Sequence, residues 1–171
     1  ATDLSYSGGT FFSMKAGITT DEMRNGLQLW DRDRYRIQIE DLGMWHHVAF
    51  TYDADVDVNN FRLYVDGMLV GMATQKGEIM QGDNPIVIGG GNGYNTNATL
   101  VDNFIVWDRA LTQDELRQHI YQTPTGREQG CRLMLTFDGS LKDQSAYHND
   151  GIVMKNLTLV AHDGIRQPHP D

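Results

Sequence analysis

The sequence predicts an all-β domain with one short helix, and three observations predict it. Apolar residues recur mostly with a period of two, in short β-rich runs. Gly, Asp and Asn separate those runs, and the 18 glycines are dispersed through turns instead of forming a repeat. One stretch alone, Leu111 to Tyr121, carries the chemistry of a helix start.

In chain order the predicted strands are Thr10–Met14, Leu27–Trp30, Arg34–Ile39, Trp45–Tyr52, Phe61–Val65, Met68–Ala73, Pro85–Ile88, Leu100–Trp107 and Arg132–Phe137. Arg34, Tyr35, Arg36, Ile37, Gln38 and Ile39 alternate polar with apolar, so one face should meet a core and the other solvent. Phe61, Leu63 and Val65 alternate in the same way. Asp66-Gly67 is a two-residue connection whose Gly tolerates positive φ, which predicts a hairpin. Thr112 and Glu115 form a capping box, and Leu111 with Leu116 takes the places of a hydrophobic staple, predicting a helix over Gln113–Tyr121. Pro124 and Gly126 stop it and open a loop through Gln129, the one plausible internal boundary. Gly139–Asp150 is polar and turn-rich, Gly151–Met154 and Leu157–Val160 read as weak strands, and 166–171, with two prolines, reads as a tail.

Composition narrows the function. The 171 residues suit one compact domain at roughly 100 to 200 residues per domain. A net charge of −9 and the lack of a Lys/Arg stripe exclude a phosphate backbone as partner. No apolar run reaches the ~18 residues that would span a bilayer, so membrane insertion is not expected, and Ala1 to Gly9 do not have the pattern of a signal peptide. The lone Cys131 excludes an internal disulfide framework and a multi-cysteine zinc site, and it is read as packing on a strand.

Four linked motifs carry a family resemblance. They are Trp45-His46-His47-Val48-Ala49-Phe50-Thr51-Tyr52-Asp53, Phe61-Arg62-Leu63-Tyr64-Val65-Asp66-Gly67, Ile86–Gly91, and Val101-Asp102-Asn103-Phe104-Ile105-Val106-Trp107-Asp108-Arg109-Ala110-Leu111. Together they resemble the laminin-G-like, or concanavalin A-like lectin/glucanase, superfamily over about Gly8 to Tyr121. The resemblance implies a jelly-roll β-sandwich of two antiparallel sheets, secreted or at the cell surface. It also implies binding of carbohydrate or protein, and calcium as a bound ion. Leu133–Asp143 and Gln144–Gly151 resemble the segment that opens such a domain, yet here they come last. A circular permutation and the start of a second repeat both explain this order. The expected organisation is 1–123 as the main part of the sandwich, 130–165 as the opening segment packed on it, and 166–171 as a tail.

Eight carboxylates against Arg62 and Lys76 lie between Thr51 and Asp108, concentrating six of the nine net negative charges there. A hard oxygen-seeking cation is the natural partner of such a region. Asp53, Asp55 and Asp57 alternate but fail as an EF-hand, with Val58 where that loop needs Gly, and read as a solvated hairpin loop. By the resemblance, Asp102 and Asp138 match the places that hold a structural calcium, and an unpaired buried carboxylate in either strand would need a metal or a hydrogen-bonded turn to satisfy it. Asp66 is a turn former, and Asp108 with Arg109 is expected to make a local ion pair. His46 and His47 point to opposite faces of a strand and cannot share one ion.

Trp45 and Trp107 are read as core. Trp30 at a hairpin tip and Tyr94 in the loop Gly89–Asn95 are the candidates to stack on a sugar ring, with Asn92 and Asn95 supplying amides for its hydroxyls. The resemblance includes hydrolases whose carboxylates follow E-x-D-x-x-E, and no such pattern occurs, nor a G-x-S-x-G elbow. The expected function is therefore a noncatalytic, lectin-like module that binds a polysaccharide or glycan within a larger secreted or surface protein. The alternatives are a protein-interaction or architectural module and, behind it, a glycan-cleaving enzyme.

Overall fold

The computed structural model describes residues 13–17, 26–30, 36–39, 45–74, 86, 88, 101–153, 157 and 159. Its strands are β1 (Ser13–Gly17), β2 (Gly26–Trp30), β3 (Arg36–Ile39), β4 (Val48–Tyr52), β5 (Phe61–Val65), β6 (Met68–Ala73), β7 (Phe104–Trp107) and β8 (Cys131–Leu135), with helix α1 (Gln113–Tyr121) between the last two. The described structure is thus mostly sheet with one helix. Sequence periodicity placed β5 and β6 to the residue and these other strands to within a few, and the capping box with its Pro124 and Gly126 stop placed α1 to the residue. The expected strand over Gly151–Met154 is not formed at 151–153, and Ile152 is 80% exposed there. Ile86 and Ile88, the described residues of the expected strand Pro85–Ile88, are also outside any strand.

The strands form sheets of order β1-β2-β3, β4-β5-β6 and β7-β8. In the first, Leu29 lies opposite Met14 on one side and Ile37 on the other. The chain groups into two compact units, one of Ala1–Met44, Ala54–Leu63 and Val70–Thr99, the other of Trp45–Asp53, Tyr64–Leu69 and Leu100–Asp171. The second unit holds β4, β7, β8 and α1.

Its core begins at the β5–β6 turn. Asp66 (φ 49°) and Gly67 (φ 73°) both take the left-handed conformation that a two-residue hairpin demands. A Cβ on Gly67 would stand 2.6 Å from Arg117 Cγ, so the bare glycine lets α1 lie directly on the turn. Gln113 Nε2 (2.8 Å) and Arg117 Nε (3.2 Å) both donate to the Gly67 carbonyl, tying helix to hairpin. Beneath them Tyr64, Leu111 and Leu116 form the buried cluster, with Ala49 and Trp107 packed against it. Strict alternation along β5 would leave Tyr64 on the face opposite Phe61 and Leu63, yet all three are buried. The outer face of β5 is covered at Tyr64 by the helix region, which no period-two pattern encodes.

The helix start is as expected. Thr112 Oγ1 accepts from the Glu115 N–H while the Glu115 carboxylate accepts from the Thr112 N–H, and Leu111 and Leu116 are both buried. Among the described residues no helix is long and apolar enough to cross a membrane.

Candidate functional site

The antiparallel ladder of β7 and β8 organises the site. Phe104, Ile105 and Val106 face Leu135, Met134 and Leu133, and the register then shifts so that Trp107 faces Cys131. Arg132 is the extra residue of this bulge, and its side chain is exposed. A bulged residue loses its ladder partner, so its carbonyl must be satisfied elsewhere. Asn149 Nδ2 donates to it at 3.4 Å from the turn-rich stretch that follows β8.

Asp143 builds that stretch. Its Oδ1 accepts from the Met134 N–H (2.9 Å) and the Ser145 N–H (2.8 Å), and its Oδ2 accepts from Ser145 Oγ (2.7 Å) and the Asn149 N–H (2.8 Å). The Gln144 N–H donates to the Met134 carbonyl, folding the stretch back on β8. Asp143 is 5% exposed. Burial pushes its carboxyl up, but the donors from Met134, Ser145 and Asn149 outweigh that and hold it below the ordinary carboxylate value. One residue type in a turn thus supplies acceptors for four donors, which makes Asp143 a structural carboxylate. Asp150 supports it, accepting from the Asp143 N–H at 3.0 Å and pairing with Lys142. The sequence reads this stretch as a polar turn within the family's opening segment without singling out Asp143; the signal for it is a carboxylate two residues before a serine, the spacing of an Asx turn.

On the other side of the ladder two ion pairs replace the expected one. Asp108 and Arg109, in the bend that follows β7, do not pair with each other; each takes a partner further along the chain. Asp108 takes Arg132 (Nε to Oδ2 2.7 Å), whose guanidinium also lies 4.6 Å from the Tyr147 ring. Arg109 takes Glu115 through two parallel hydrogen bonds of 3.1 and 2.6 Å and reaches over Trp107. The Arg109 guanidinium, with the Thr112 N–H, overrides burial and holds the Glu115 carboxyl down at about 2. Trp107 stacks on His119 at 5.3 Å and packs on the core cluster, as its core reading required.

Asp102 and Asp138 lie beyond the Phe104–Leu135 end of the ladder, outside both strands, and both are exposed. The premise that they are buried carboxylates in need of satisfaction is therefore corrected. Asn103 (φ 54°) and Phe137 (φ 59°) turn the chain off the ladder at their positions, and Asp102 accepts from Asn103 Nδ2 at 3.2 Å. Their chemistry fits calcium, since both offer hard carboxylate oxygens; further ligands would have to be backbone carbonyls and water. Among the described residues no group of three or more His, Cys, Asp or Glu side chains gathers to hold a metal.

Of the sugar-stacking candidates, Trp30 closes β2 opposite Ser13 and Arg36. Asn92, Tyr94 and Asn95 lie outside the described residues. Trp45, read as core, is 41% exposed. The Asp66 carboxylate meets His46 Nδ1 at 2.8 Å with one oxygen and the His47 backbone N–H at 2.9 Å with the other, both just ahead of β4. Asp66 is thus a clamp on β4 as well as a turn former. Cys131 is 4% exposed, and burial pushes its thiol up, so it packs as an inert small side chain.

A family model described as the concanavalin A-like lectin/glucanases superfamily, of laminin G type, matches residues 7–117. No curated protein and no solved structure matches the chain.

Proposed function

The chain belongs to the concanavalin A-like lectin/glucanase superfamily, and from that premise we propose that it is a noncatalytic module that binds a polysaccharide or glycan. The observation that carries this reading is the family match itself, over residues 7–117 of 171. Laminin-G-like members are generally noncatalytic and often extracellular, which supports a secreted or surface location; the superfamily also contains glycosidases, and the missing E-x-D-x-x-E pattern weighs against that chemistry here. A rigid sheet scaffold with loops that carry the ligand groups suits the role. Trp30 and Tyr94 stack on sugar rings, and Asn92 and Asn95 bind hydroxyls.

The proposed fold is a jelly-roll sandwich in which 130–165 packs with 1–123, leaving 166–171 as a tail. The pairing of β7 with β8 supports that arrangement, because it joins the two segments in one ladder. Calcium, held by Asp102 and Asp138, would stiffen the end of the ladder without taking part in chemistry.

Affinity-gel electrophoresis against a panel of polysaccharides tests the reading, with Trp30→Ala and Tyr94→Ala alongside. Retardation that weakens in both variants is expected. No retardation by any polysaccharide would sink it, in favour of a protein-interaction module. The apolar exposure of Phe50 (57%) and Met68 (57%) favours that second reading.

A further inference from the structure

The loop after α1 and the Asp143 turn meet at a close backbone contact. Gly126 is buried with φ 80°, and a Cβ there would stand 2.5 Å from the Gln144 carbonyl oxygen. Only glycine permits that approach. Beside it, Thr125 donates through its N–H (2.8 Å) and Oγ1 (2.9 Å) to Glu128 Oε1, and the Arg127 N–H donates to Thr125 Oγ1. These bonds fix the backbone on both sides of Arg127. The result is an open cleft of about 350 Å³ lined by Arg127, Gln144, Ser145, Ala146 and His148.

The charges around this cleft are unequal. Among the described side chains, Arg109, Arg117, Arg132 and Lys142 each have a carboxylate partner, and Arg62 donates to the Asn59 carbonyl. The guanidinium of Arg127 does none of these. Of the nearby carboxylates, Asp143 is engaged by its four donors and Asp150 by Lys142, while Glu128 accepts from Thr125 with Oε1 and holds Oε2 buried without a hydrogen-bond partner. Among the described residues no carboxylate lines the cleft, whereas Arg127, His148 and Gln144 do; one N–H of the Gln144 amide donates to the Lys142 carbonyl at 3.4 Å. A planar guanidinium donates two parallel hydrogen bonds to a carboxylate or sulfate, and the imidazole and amide add single donors. A volume near the small end of the ~300–1,000 Å³ range of ligand clefts suits one small group.

We propose that this cleft binds a single oxyanion, the carboxylate or sulfate of a small polar ligand, with Arg127 as the principal donor and His148 and Gln144 as flanking donors. It uses none of the residues assigned to sugar stacking and stands or falls separately from that reading. In an overall acidic chain, a site of this sign selects anions against the general field.

NMR titration of the full chain with glucuronate, inorganic sulfate and neutral glucose tests it, observing the Arg127 Nε–H and the His148 ring. Glucuronate or sulfate is expected to shift both signals saturably, and glucose is not; which anion binds more tightly identifies the source of the oxyanion. Arg127→Gln is expected to weaken that binding about tenfold, while Arg62→Gln, the same charge change elsewhere, leaves it within about twofold. Equal shifts with glucose, no saturable shift with either anion, or equal weakening by both variants would overturn the site.

Discussion

Asp143 and the pair Asp102 and Asp138 sit around the same β7–β8 ladder in opposite surroundings. Asp143 is buried and accepts from four donors, while Asp102 and Asp138 are exposed at the ladder's open end. The difference teaches that acidity in the sequence does not mark function or structure by itself. A carboxylate becomes structural when neighbouring backbone donors have nowhere else to go. It stays available to a ligand when water already solvates it.

The largest test of the contrast is Asp143→Ala. It leaves the Met134, Ser145 and Asn149 N–H groups without an acceptor, and a loss of about 3 kcal/mol in urea-unfolding stability is expected. A loss below about 1 kcal/mol would place Asp143 with the exposed pair and dissolve the comparison. Next comes Gly126→Ala, which sets a methyl 2.5 Å from the Gln144 carbonyl in a left-handed backbone. About 2 kcal/mol of destabilisation is expected, with the Asp143 turn pushed off the 124–130 loop; unchanged thermal stability would contradict the close contact.

Glu115 lies between the extremes, an ion-paired carboxylate that is a third exposed. Its folded pKa is depressed to about 2, so its stabilisation is complete above the ordinary value of 4.5 and is lost as pH falls from there toward 2. Because both partners are solvent-accessible, the effect is screened to about 1 kcal/mol. The stability gap between the native chain and Glu115→Gln, followed by urea midpoints from pH 6 to 2, is expected to close over that window. A gap independent of pH would remove the ion pair as its cause.

The smallest effect belongs to Asp102→Asn and Asp138→Asn. In the presence of chelator each is expected to change stability by less than about 0.5 kcal/mol, as exposed positions do. Added calcium should then raise the melting temperature of the native chain and not of the variants. A rise shared equally by all three would move the ion elsewhere.

Much of the fold was legible because the rules involved are short. Asp66-Gly67 and the Thr112–Glu115 box act within four residues, and the chain obeys them at both places. What failed was reading through space from neighbours in sequence. Asp108 and Arg109 looked like a pair and instead reach Arg132 and Glu115, 24 and six positions away. Tyr64 looked half-exposed and is covered by residues 47 and 52 positions further on. The acidic positions assigned to calcium were taken as buried strand residues and lie outside the strands.

The sequence by itself determined the antiparallel, turn-rich architecture, the helix with both its ends, and membership of a superfamily, since each rests on local propensity or on motifs in linear order. Tertiary structure alone decided which carboxylate is structural and which arginine keeps its donors. Those outcomes depend on the bulge at Arg132 and on the approach of Gly126 to Gln144, contacts that exist only after residues far apart in the chain have been brought to hydrogen-bonding distance.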